Sequence, residues 1–116
     1  MTDRWTTTHR GDEWWYTTPT LHAVASVGAG SVFIGDVGST NGPITEKDLH
    51  ELLWSAFHQF ARLSVLLEMT KRTRPLIQAL ARRRVVTWEA VQGAYSEDAR
   101  VLRVAPLEGQ PHNEEL

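Results

Sequence analysis

A chain of 116 residues holds one domain, since domains run about 100 to 150 residues and a second core would lack material. Its 41% hydrophobic content falls in the globular range and excludes wholesale disorder; no apolar run approaches the roughly 18 residues that span a bilayer, and the N-terminal stretch lacks an apolar signal core, so a soluble, cytoplasmic protein is expected. The absence of cysteine excludes a disulfide framework, a thiolate metal cage and a cysteine nucleophile, and a net charge of -2 argues against an overall basic nucleic-acid binder.

The first forty residues interleave threonine, tryptophan, tyrosine and valine between glycine- and proline-bearing breaks, the pattern of short strands. Four are predicted, near 4–9, 13–18, 21–27 and 31–37. They are joined by Arg10-Gly11-Asp12, the Thr18-Pro19-Thr20 corner and Gly28-Ala29-Gly30, residues suited to tight reversals. Connections this short leave no room for a parallel crossover, so an antiparallel meander is expected. Arg10-Gly11-Asp12 also spells an integrin-recognition tripeptide, which a hairpin turn explains without an extracellular role. Residues 35–43, with three glycines, an Asn-Gly pair and a proline, read as the loop that closes the sheet.

A helix is expected from Thr45 to about Lys71 or Arg72. Thr45 is placed to cap it, Asp48 to reach back, and Ile44 to pack on Leu49. Leu49, Leu53, Ala56, Phe60, Leu63 and Leu67 then recur at spacings of four and three, while Leu52, Trp54, Phe57, Val65 and Leu66 widen the apolar face. Such a rod of roughly 40 Å is as long as a compact domain of this size is wide. Four strands would not cover it, so a homodimer is expected, with Leu49, Leu53, Phe57, Phe60, Leu63 and Leu67 at its interface.

Pro75 opens a second predicted helix at Leu76–Arg84 and Thr87 caps a third over 88–95. Residues 99–105 alternate weakly and are a candidate fifth strand. The expected fold class is thus α+β: an antiparallel meander of about four strands, then one long and two short helices packed on one face. It forms a single domain over 1–105, with a mobile acidic tail over 106–116.

Charge is segregated: 62–84 carries seven bases and one acid, while the flanking segments are acidic. Arg72, Arg74, Arg82, Arg83 and Arg84 therefore form a candidate partner-binding cluster, for the carboxylates of a protein or the phosphates of a nucleic acid. Against the latter, the third predicted helix, which would enter a groove, offers no base. Trp14, Trp15 and Tyr16 are consecutive, so a strand sends large aromatics to both of its faces. With Trp5 they form the second candidate partner surface, because tryptophan and tyrosine are enriched at binding hot spots. Gly38-Ser39-Thr40-Asn41-Gly42, after a strand-like run, resembles a turn of forkhead-associated domains that helps to bind phosphothreonine. Those domains are all-β, whereas a helix is predicted here from Thr45, so the five residues are read as turn chemistry.

His50 and His58 stand about 12 Å apart along the predicted helix, too far to share one ion by themselves, and no metal site or cofactor is assigned. No nucleophile elbow, phosphate-binding loop or dinucleotide fingerprint occurs. The expected function is non-enzymatic protein interaction, as an assembly subunit, adaptor or inhibitor. The alternatives are a nucleic-acid-binding regulator using 71–84 and a small enzyme whose site gathers His50, His58, Asp36 or Glu46.

Overall fold

The computed structural model describes residues 4–7, 12–40, 42–91 and 100–107. Most of the expected Arg10-Gly11-Asp12 turn, the far half of the third predicted helix and nearly all of the expected tail lie outside the described residues.

Among the described residues seven strands and two helices follow one another: β1 (Trp5–Thr7), β2 (Glu13–Thr17), β3 (Leu21–Val27), β4 (Ser31–Ser39), α1 (Glu46–Gln59), β5 (Ser64–Met69), α2 (Arg74–Arg82), β6 (Val86–Ala90) and β7 (Arg100–Pro106). They build one sheet in the order β1-β2-β3-β4-β5-β7-β6. Every neighbouring pair is antiparallel except β4 and β5, whose parallel pairing requires the crossover that α1 supplies.

This corrects the expected architecture. The sheet is mixed and seven-stranded rather than a four-stranded meander, and the described residues form two helices in place of one long and two short ones. Helix α1 begins as its capping signals require: Thr45 Oγ1 accepts the Asp48 backbone N–H at 3.1 Å and Ile44 packs against the core. It stops at Gln59, where Phe60 leaves helical geometry (φ -115°, ψ 49°). The second half of the expected rod is β5. Its run Val65-Leu66-Leu67 fits a helix seam and an interior parallel strand equally well, because such strands are apolar on both faces and lack the alternation that marks an exposed sheet. Where the third expected helix begins, at Trp88, the chain is instead in β6, whose Val86, Thr87 and Trp88 suit a pleated surface better than a helix.

One face of the sheet holds the core. Cross-strand partners there include Trp5 with Tyr16, Ala25 with Ile34, Val32 with Val65, and Leu67 with Leu102. Helix α1 lays Leu49, Leu52, Leu53 and Ala56 on this face, and α2 adds Ile77 and Leu80. All are at most 1% exposed, and at about 25 cal/mol per Å² of apolar area this layer is the main source of stability. Trp5 ties the first strand to α1 by donating its indole N–H to Ser55 Oγ at 2.7 Å. Helix α2 ends in a Schellman motif. Val85 N–H bonds to Leu80 C=O and Arg84 N–H to Ala81 C=O, each at 3.0 Å, with Arg84 in the left-handed region at φ 62°.

Leu49, Leu53, Phe60 and Leu67, expected at a dimer interface, are buried within their own chain, and Phe57 and Leu63 pack partly buried against the same core. The reason for pairing two rods disappears with the rod. Among the described residues no helix is long and apolar enough to cross a membrane.

Candidate functional site

Both helices lie on one side of the sheet, so the pleat sends the remaining side chains to a face that neither helix covers. The register fixes its composition. Thr6, Trp15, Val24 and Gly35 follow one another across β1 to β4, and Glu13, Ser26, Phe33, Leu66, Arg103 and Glu89 form the adjacent row from β2 to β6. Trp15, Val24, Phe33 and Leu66 thus carry an apolar stripe over four consecutive strands. Val24, Phe33 and Leu66 are only half-buried, and Trp15 is 52% exposed.

A shallow cleft of about 300 Å³ opens on this face, lined by Glu13, Val24, Ser26, Phe33, Gly35, Asp36 and Glu68. Its floor depends on Gly35. A Cβ there would stand 3.0 Å from Phe33 Cε2 and 3.2 Å from Glu68 Oε1, so the missing side chain lets the ring and the carboxylate converge. Beside it lies a bulge: β4 advances three residues, Gly35 to Gly38, while β3 covers two, Val24 to His22. Asp36 takes the turn at φ 52°, a conformation that aspartate tolerates better than most residues. Its backbone N–H donates to Glu68 Oε1 at 3.3 Å. The result is an apolar floor bordered by three carboxylates, Glu13, Asp36 and Glu68, with no lysine or arginine in the lining.

The four aromatics singled out in the sequence divide as the pleat requires. Trp5 and Tyr16 are buried, at 4% and 1% exposure, and Trp14 packs partly buried beside them. Trp5 meets Tyr16 and Phe60 with ring centroids 5.0 and 5.2 Å apart, and Trp14 meets Phe60 edge-on at 5.7 Å. Burial raises the Tyr16 phenol pKa above its ordinary value, opposed by the Arg4 guanidinium, which donates to its hydroxyl at 3.4 Å. Only Trp15 of the four faces away from the core.

The arginines do not form one patch on a single helix face. Arg72 precedes α2 and Arg74 begins it, whereas Arg82, Arg83 and Arg84 stand at its far end, about 12 Å along the axis at 1.5 Å per residue. Arg83 forms an ion pair with Glu46 in the first turn of α1, and Arg84 is the left-handed residue of the Schellman motif. Arg72 stands apart from these. It lines a second cleft, of about 410 Å³, with Ser39, Gly42, Pro43 and Ile44, where the loops leaving the parallel strands β4 and β5 meet.

The groups imagined for a dispersed catalytic site are separated. Asp36 is on the open face, while Glu46, His50 and His58 belong to α1 on the opposite one. His50 stands edge-on to Trp54, with centroids 4.6 Å apart, and among the described residues no three histidines or carboxylates gather as metal ligands would.

Sequence reasoning missed Val24, Phe33, Leu66, Gly35 and Glu68 as site residues, and singled out Asp36 only as a member of a dispersed catalytic group with His50, His58 or Glu46. The alternation of β3 contained Val24, but pairing Phe33 with Leu66 required the parallel crossover, which the meander excluded. No protein-family model, curated protein or solved structure matches the chain.

Proposed function

We propose that this protein is a non-enzymatic interaction module whose sheet face opposite α1 and α2 docks a segment of another protein, one bearing apolar side chains flanked by lysine or arginine. The observation that carries the reading is Trp15, 52% exposed at the end of an apolar stripe continued by Val24, Phe33 and Leu66. Large aromatics are costly to leave in water and are the commonest anchors of binding energy. The carboxylates of Glu13, Asp36 and Glu68 beside that stripe favour a cationic partner and disfavour phosphate. The division of the arginines between the two ends of α2 weighs against a continuous nucleic-acid surface.

The test is selection of randomised peptides on the immobilised protein, followed by affinity measurement against Trp15→Ala and Glu68→Gln. The expected ligands combine an aromatic or aliphatic residue with lysine or arginine. They lose at least tenfold in affinity with Trp15→Ala and several-fold with Glu68→Gln, the latter effect shrinking as salt is added. Ligands that bind Trp15→Ala undiminished, or acidic ligands lost on replacing Arg72, would overturn the proposal.

A further inference from the structure

The second large hydrophobic side chain exposed among the described residues is Trp88, at 41%. It stands on β6, an edge strand of the sheet, away from the docking face. Edge strands present unpaired backbone groups and are usually blunted by proline, lysine, bulges or shortness. The other edge is blunted by length, since β1 has three residues and buries Trp5. Strand β6 has five, Val86-Thr87-Trp88-Glu89-Ala90, with no proline, lysine or bulge, and exposes all but Val86.

The backbone of β6 has a definite polarity. Val91 N–H bonds to Val101 C=O at 2.9 Å and Leu107 N–H to Val85 C=O at 3.3 Å. In an antiparallel ladder, residues that exchange bonds with the neighbour alternate with residues that point away from it. Residues 85, 87, 89 and 91 therefore face β7, and Val86, Trp88 and Ala90 direct their N–H and C=O groups to the open side.

We infer that this edge pairs with β6 of a second copy, antiparallel and with the twofold axis at Trp88, making a continuous fourteen-strand sheet. That register sets Val86 opposite Ala90 of the partner subunit and Trp88 opposite Trp88 of the partner subunit, so all three outward-directed residues on each side exchange bonds, six in total. The two indoles meet on the helix-bearing side as a directly opposed aromatic pair. On the other side Glu89 falls opposite Thr87 of the partner subunit. Centring the axis on Glu89 would set like charges face to face, and centring it on Thr87 would leave Ala90 outside the five-residue pairing. The self-complementarity of the strand is the reason for naming a second copy as occupant. Because the seam is short, the dimer is concentration-dependent rather than obligate.

Sedimentation equilibrium of the full chain across a wide concentration range, combined with amide exchange, tests the inference. Twice the monomer mass is expected at high concentration, with the amides of Val86, Trp88 and Ala90 gaining protection as the dimer fills while those of Thr87 and Glu89 are already protected in the monomer. Ala90→Pro removes one outward N–H per copy and blocks the approach without touching the β6–β7 ladder, and is expected to weaken the dimer at least tenfold. Trp88→Lys is expected to do the same should the proline variant fail to fold. Trp15→Ala leaves the dimer intact, which separates this edge from the docking face. A monomer at every concentration, or a dimer in which Val86, Trp88 and Ala90 gain no protection, would overturn the inference.

Discussion

The two faces of the sheet come from the same strands, alternate residue by residue, and differ in what covers them. On the helix side Ala25, Ile34, Leu67 and Leu102 are at most 1% exposed beneath α1 and α2. One residue earlier on β3, β4 and β5, Val24, Phe33 and Leu66 remain half in water beside Trp15. A sheet with one solvated face normally makes that face polar. Here an apolar stripe persists there with carboxylates around a cleft, and that departure is the ground on which the face is proposed as a docking surface.

The largest effect expected from this contrast is a pair of truncations. Leu53→Ala on the covered side should cost about 2–5 kcal/mol in denaturant unfolding, as deletions in a closed core do. Trp15→Ala, although it removes a larger side chain, should cost under about 1 kcal/mol. Equal losses would erase the distinction between the faces. The second effect runs the other way: Arg84→Gly relieves the left-handed residue that ends α2 and should stabilise the protein by about 1 kcal/mol, raising its unfolding midpoint while leaving peptide binding at Trp15 unchanged. The smallest is a titration confined to the covered face. Burial raises the Tyr16 pKa, so its stabilising contribution is complete below the unfolded value of about 10 and is lost as pH rises through the higher folded value. Unfolding midpoints measured from pH 8 to 11 should fall, and Tyr16→Phe should make that fall shallower.

How much of this was legible before the coordinates depended on how far apart in the chain the partners lie. Strands β2, β3 and β4 fall within two residues of their expected spans, because local alternation and turn residues mark them. The start of α1 was equally local, written in Thr45 and Asp48. Its end was not, since Phe60-Ala61-Arg62-Leu63 contains neither glycine nor proline, and Val65-Leu66-Leu67 satisfies both periods. Pairing β5 with β4 and β7 is a tertiary fact, and with it went Leu66 of the apolar stripe and Glu68 of the cleft. Trp15 could be singled out from the sequence because three consecutive aromatics in a strand cannot all face one core. Which of them faces solvent depended on the side that the helices took.

The most direct measurement is a chemical-shift map of the tryptophan indole and backbone amide resonances as a selected cationic-apolar peptide is added. The account predicts that the Trp15 indole and the amides around Val24, Phe33, Gly35 and Leu66 move together, while the Trp5 indole and the amides of α1 and α2 stay in place. Movement centred on the helices or on Arg72, with Trp15 unmoved, would contradict it.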